Sequence, residues 1–384
     1  MTEPKKKFSL LLTGDIILGD QSEHYFEGVR ETLESSDVVL GQLEVPYSDR
    51  APELEGLSRS PVVLEPLKKY VDALTMAGNH IYDAGEVGVQ DTLQWLDENN
   101  IPHTGGGMSL EEASKPVILN YGDLRIGYIS YNCVGPKATW AAKDKAGNPY
   151  VDILIKFDMG QVANPGGNPD KIYTWPEPET FARMKKEITE LRRQCDLLCV
   201  YFHKGIVHKP IQLADYEQIV SYAAIECGAD VVSSSHSHIL HGVEIYKGKT
   251  IFHGLNNFVA WVPSLSPNFK REGGKKTELF DPEEWVRRRV ERFGFVPDPE
   301  YPTYPFHPDA IYTVAGKCIV EDGKIVETRY VPMIVGKDGV TRTVTRQNGG
   351  ERVFDYMQKI TDKAGLNAKF TWDGDEVVIS EKAK

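Results

Sequence analysis

The stretch Ala229–Phe258 reads ADVVSSSHSHILHGVEIYKGKTIFHGLNNF and carries His236, His238, His241 and His253, four of the ten histidines in the chain. A short apolar run, Val231–Val232, passes through three serines to His-x-His. This is the pattern of a strand running out into a loop that carries two imidazoles. Extended backbone points residues i and i+2 the same way, so His236 and His238 can reach one point, as two ligands of a metal must. An isolated pair at this spacing is as often a surface loop that binds nothing. The rest of the chain decides between the two.

Upstream, apolar β-prone segments alternate with segments of helical period. Phe8–Thr13 predicts a buried strand that stops at Gly14-Asp15, and Phe26, Val29 and Leu33 recur at helical spacing. Val38–Gln42 predicts a second strand, followed by Glu44 and Pro46, and Pro61–Tyr70 a helical connection. Ala73–Met76 predicts a third strand ending in Gly78-Asn79-His80, and the period from Gly85 to Glu98 a helix. Arg125–Asn132 and Cys195–Phe202 predict further strands, the latter ending at His203. Tyr216, Ile219, Val220 and Ala223 mark a helix before the opening stretch. From Ile311 onward alternating strands turn at Asp322-Gly323 and Asp338-Gly339, then a helix near Glu351–Ala364 and a strand near Glu376–Ser380 close the chain.

This alternation predicts an α/β layered fold. Residues 1–310 are expected to form the main domain, with 311–384 as a β-rich extension packed on it. Residues 134–178 and 262–310 lack a clear period but carry Trp140, Trp175, Trp285, Tyr301, Tyr304 and Phe306, with Trp261 directly before the second. They read as insertions that wall a cleft, and the alternative for them is an interface in a homo-oligomer.

Polar residues of ligand type recur where strands end: Asp15, Glu44, Asn79-His80, His203, His236 and His238. Any one alone is explained by a turn or a helix cap. Six at equivalent places are not, because open α/β sheets assemble their sites at strand C-terminal ends.

Composition bounds the function. With 384 residues, 41% hydrophobic and 26% charged, the chain is that of a globular protein. A net charge of −12 argues against a nucleic-acid partner. Five cysteines without a CxxC spacing predict thiols in a reducing, cytoplasmic setting. Gly14 and Asp15 interrupt the N-terminal apolar run, which therefore reads as a strand and not a signal peptide, and no apolar run is long enough to span a membrane.

The ordered set of motifs resembles the CapA-like (poly-γ-glutamate capsule biosynthesis) branch of the calcineurin-like metallophosphoesterase superfamily. The residues that carry the resemblance are Gly14-Asp15, Leu43-Glu44-x-Pro46, Ala77-Gly78-Asn79-His80-x-x-Asp83, Phe202-His203-Lys204-Gly205, His236-x-His238 and the run from His241 to Phe258. The resemblance implies a two-layered β-sandwich flanked by helices, with a metal site at the strand ends. It implies that Asp15 and His238 bind one divalent metal, that Asn79, His203 and His236 serve a second, and that Glu44 bridges or binds beside the first. It implies His80 as acid or base, oriented by Asp83. One or two ions of Mn, Fe or Zn suit a mixed carboxylate and imidazole set. The chain departs from the family pattern at Gln42 and Lys204, where Asn and an aromatic are usual, and has Ile17 where true phosphoesterases carry His. Lys204, next to His203, is expected to curl back to the cleft mouth and bind an anionic substrate, with pairing to a nearby carboxylate as the alternative.

The expected function is a metal-dependent hydrolase of an amide or ester bond in a small or peptide-like anionic substrate, using metal-activated water and a histidine acid/base. Two alternatives stand beside it: an epimerase or lyase that removes a proton next to a metal-bound carbonyl, and a non-catalytic binding or assembly subunit.

Overall fold

The structure, a computed structural model, describes residues 7–51, 60–160, 169–262, 265–266 and 282–383. The strand Lys7–Ile17 is buried from Phe8 to its end. Its alternate side chains go to opposite faces, as a pleated strand requires. Leu10 and Leu12 pack with Tyr128, Tyr201 and Phe252, which belong to a second sheet. Leu11 packs on the other side with Phe26, Val39, Leu74 and Val89. A strand covered on both faces must be apolar throughout, which is why this segment shows a continuous run and no polar alternation.

Among the described residues, the first sheet follows the order Ala368–Asp373, Glu376–Glu381, Lys324–Val335, Tyr312–Glu321, Lys7–Ile17, Val38–Leu43, Ala73–Thr75 and His103–Thr104. Asn257–Ala260 adds to Lys7–Ile17, and Thr341–Thr343 to Lys324–Val335. The second sheet follows the order Leu240–Tyr246, Lys249–Leu255, Val231–His236, Leu197–Lys204, Leu124–Asn132 and Val117–Tyr121. The two sheets share one apolar layer. Helix Gly85–Glu98 and the short helices between Ser22 and Glu34 cover the outer face of the first sheet. Helices Pro178–Arg192 and Asp215–Glu226 cover the outer face of the second. The result is the expected α/β fold: a two-layered β-sandwich flanked by helices. The strand Tyr312–Glu321 pairs directly with the first strand, from Lys7↔Glu321 to Leu12↔Gly316, and Lys324–Val335 pairs with Tyr312–Glu321 in turn.

Several elements differ from the sequence expectation. The first strand runs past Asp15 to Ile17, because Asp15 pairs with Gln42 on one side and Asn257 on the other. The strand from Val231 does not end before the serines. Ser233, Ser234 and Ser235 pair with Tyr201, Phe202 and His203, so a partner strand holds extended three residues of weak β-propensity. Residues 134–178 are not irregular throughout: Ile153–Asp158 and Lys171–Pro176 form a two-stranded hairpin. Within 262–310, Pro282–Phe293 is a helix, while 263–264 and 267–281 lie outside the described residues. The strand Ala368–Asp373 has no counterpart in the expectation.

The five cysteines are unpaired. Among the described residues no helix is long and apolar enough to cross a membrane.

Candidate metal centre

Parallel strands of both sheets deliver their C-terminal ends to one rim. Asp15 lies near the end of Lys7–Ile17, Glu44 just past Val38–Leu43 and Asn79 past Ala73–Thr75. His203 and His236 come from the ends of two adjacent strands of the second sheet. Gly14 makes the approach of the sheets feasible. A Cβ there would stand 1.9 Å from the Asn256 carbonyl oxygen, which accepts the Asp15 amide at 3.0 Å.

Two groups of polar atoms result. Asp15, Glu44 and His238 each offer a ligand atom, all within 4.8 Å of one another. Beside them, Asn79 Oδ1 lies 2.7 Å from His203 Nε2 and 3.0 Å from His236 Nδ1, and these two ring nitrogens are 3.2 Å apart. Glu44 Oε1 stands between the groups, 3.5 Å from His238 Nε2 and 3.9 Å from His203 Nε2. His236 and His238 do converge, their ring centroids 6.2 Å apart, but not through simple strand alternation. Both have positive φ, 111° and 49°, so the backbone turns sharply to bring the two rings round.

Electrostatics mark the place. Glu44 is fully buried, and neither carboxylate oxygen has a hydrogen-bond partner. Burial pushes its pKa up to about 7. Burial and the neighbouring Glu44 charge push Asp15 to about 8. Burial, then the nearby His236, His238 and His80, holds His203 well below the usual imidazole range. Two carboxylates and three neutral imidazoles packed together, with one carboxylate wholly unpartnered, are costly unless a cation joins them. The donor set fits one or two divalent ions with mixed oxygen and nitrogen ligands.

A further layer of residues fixes the donors. His238 Nδ1 lies 2.9 Å from Asn257 Oδ1, and Asn257 Nδ2 donates to the Tyr304 hydroxyl at 2.8 Å. That chain puts the amide oxygen, and hence the imidazole proton, at Nδ1, leaving the Nε2 lone pair toward Glu44. Ser235 Oγ bonds both Asp15 Oδ1 and the Tyr201 hydroxyl, which lies 3.1 Å from His203 Nδ1. The sequence assigns no role to Ser235, Tyr201 or Asn257, and Tyr304 stands there only among the aromatics of the second insertion. The signal for Ser235 was three serines in a row inside a buried strand. The signal for Asn257 was an amide beside the motif histidines.

His80 stands at the same cleft with its Nδ1 2.6 Å from Asp83 Oδ2. Burial lowers the His80 pKa, but the Asp83 hydrogen bond and the charges of Glu44, Asp83 and Asp15 outweigh it and leave the ring raised. The cleft, of about 710 Å³, is walled by Val134–Pro136 from the first insertion and by Leu265, Trp285, Phe293 and Phe306 from the second. Trp175 lies elsewhere, 38% exposed on the hairpin.

Lys204 is the correction. It is fully buried, with Nζ 3.3 Å from Glu217 Oε2 and 3.1 Å from His253 Nδ1. Strand alternation sends His203 to the rim and its neighbour to the opposite face, under helix Asp215–Glu226, so Lys204 does not reach the cleft. Burial alone would raise the Glu217 carboxyl, but the Lys204 ammonium outweighs it and holds Glu217 low. The remaining two histidines of the opening stretch belong to this same interior network. His253 Nε2 lies 2.9 Å from Glu244, and His241 Nε2 lies 2.9 Å from the Lys209 carbonyl.

The family model described as "Bacterial capsule synthesis protein PGA_cap" matches residues 9–261. The chain is 28% identical to "PGA biosynthesis protein CapA" of Bacillus subtilis (strain 168), over 65% of this chain and 63% of that protein. It is 23% identical to "Capsule biosynthesis protein CapA" of Bacillus anthracis, over 66% of this chain and 60% of that protein. The matches thus span less than two thirds of the length of these relatives. Among solved structures, the calcineurin-like phosphoesterase YfkN from Bacillus subtilis is similar over 93% of this chain and 97% of its own, at 16% identity and a TM-score of 0.38.

Proposed function

The chain belongs to the bacterial capsule synthesis protein family PGA_cap, and we propose that it is a metal-dependent hydrolase of an amide or ester bond in an anionic, peptide-like substrate. The observation that carries this reading is the Glu44 carboxylate, buried without a hydrogen-bond partner between two clusters of oxygen and nitrogen donors. Asp15, Glu44 and His238 would hold one ion, and Asn79, His203 and His236, with Glu44, a second. Bound there, divalent ions polarise a substrate oxygen and lower the pKa of water.

The protein's own groups do the rest. Asn257 and Tyr304 orient His238, and Ser235 and Tyr201 orient Asp15 and His203. Asp83 accepts the Nδ1 proton of His80 and favours the protonated ring, so His80 Nε2 carries the proton given to the leaving group. Val134–Pro136 and Phe306 line the cleft beside these donors. The names of the relatives, PGA and capsule biosynthesis, support a polymer of acidic residues as the substrate.

The test is reaction of the metal-loaded protein with glutamate-containing peptides in water enriched in ¹⁸O. Hydrolysis adds one labelled oxygen to the product. A product of unchanged mass, gaining one deuterium in deuterated water, would instead identify an epimerase. Protein that takes up no metal by elemental analysis would end the proposal.

A further inference from the structure

The wall of the cleft facing His80, His236 and His238 is the helix Pro282–Phe293, with sequence PEEWVRRRVERF. Positions 285, 288, 289 and 292 fall on one helical face, and all four line the cleft. The arginines of this helix fall into two groups. Arg287 pairs with Glu284 and Glu291, and Arg288 Nε lies 2.8 Å from Glu284. Arg289 and Arg292 have no carboxylate partner among the described residues. They lie against aromatic rings instead. The Arg289 guanidinium is 5.1 Å from the Trp285 ring and 5.6 Å from the Phe293 ring, and that of Arg292 is 4.9 Å from Phe293. Burial and the like charge of Arg292 lower Arg289 to about 10.

A third group faces the same space. His208 is 2% exposed, its Nδ1 has no hydrogen-bond partner, and it lines the same cleft. Its ring is held edge-on by Phe293 at 5.0 Å and Phe295 at 4.8 Å, and its φ is +59°. Two like charges on one wall, set among aromatic rings in a chain of net charge −12, repel each other without an anion between them. A planar oxyanion matches the guanidinium fork and offsets that repulsion.

We propose that Arg289 and Arg292, with His208 Nδ1, form a clamp for an oxyanion that the substrate carries away from the bond presented to the metal donors. The clamp rests on the hydrolase reading for its substrate, and it requires a ligand with two separated functional parts. A chain bearing carboxylates meets that requirement. A phosphate presents the same oxyanion chemistry.

The experiment is calorimetric titration of the metal-loaded full chain with three probes: N-acetylated, amidated pentaglutamate, the corresponding pentaglutamine, and phenyl phosphate. Pentaglutamate is expected to bind at least about tenfold more tightly than pentaglutamine. R289M/R292M, which keeps strong helix formers, is expected to abolish that preference with metal content and helical circular dichroism unchanged. Should the double variant fold poorly, Arg289→Lys keeps the charge, loses the fork and is expected to lose part of the preference. R287M, on the outer face, is expected to leave binding within about twofold, as a change of surface charge does in salt. Binding of phenyl phosphate in place of pentaglutamate, lost in the double variant, keeps the clamp and identifies its ligand as a phosphate. Wild-type binding in the double variant, an equal loss in R287M, or no binding of any probe to the wild type overturns it. These arms read binding alone, so absence of turnover would count against the hydrolase reading and leave the clamp standing.

Discussion

Glu44→Gln tests the metal centre by making the metal-free protein more stable while depriving it of metal. In the folded protein burial raises the Glu44 pKa from 4.5 to about 7. At about 1.4 kcal/mol per pKa unit, the cost of ionising it in place is about 3 kcal/mol. The sign follows from linkage. A carboxyl raised in the folded state contributes its full stability below about pH 4.5 and loses it as pH rises through about 7, because the unfolded chain releases the proton first. Metal-free wild type is therefore expected to lose about 3 kcal/mol more than Glu44→Gln between pH 4.5 and pH 8. The glutamine also relieves Asp15 of its charged neighbour, which adds to the difference in the same direction. With metal in excess the gap narrows to near zero. The wild type gains about 2.7 kcal/mol at a metal concentration a hundred times its dissociation constant, and the variant gains little. The assay is denaturant unfolding of both proteins at the two pH values, with chelator and with Mn²⁺ or Zn²⁺. Parallel pH dependence of the two metal-free proteins, or stoichiometric metal in Glu44→Gln, would refute the assignment.

Three further outcomes are expected. His80→Ala should lose on the order of 10²–10⁴ in turnover while keeping its metal by elemental analysis. A variant with normal turnover would leave His80 a structural residue. Asn257→Ala frees His238 Nδ1 and should weaken metal binding about 10- to 100-fold in a chelator competition, and unchanged affinity would contradict the orienting role. Lys204→Met strands the buried Glu217 carboxylate and should cost about 3–5 kcal/mol of unfolding free energy. A change confined to KM for anionic substrates would restore Lys204 to the cleft.

Local chemistry made much of the fold legible. Continuous apolar runs such as Phe8–Thr13 specify strands buried on both faces, and the helical period of Gly85–Glu98 specifies a helix at those same bounds. Asp15, Glu44, Asn79, His203 and His236 were visible as polar residues that interrupt apolar runs where strands stop. What sequence could not decide depends on partners far along the chain. Ser235 bonds Asp15 across 220 positions, and three serines stay extended only because Tyr201–His203 lie alongside. Lys204 was misread because its burial is repaid by Glu217 and His253, and neither pairing is encoded near the lysine itself. The helix Pro282–Phe293 lies in a stretch read as having no clear period, and only packing brings its arginines over the histidines. Short-range backbone preference and hydrophobic period act over a few residues and can be read in one dimension. Desolvation, charge pairing and the closing of a cleft depend on three-dimensional neighbours, so they are set only when the sheets come together.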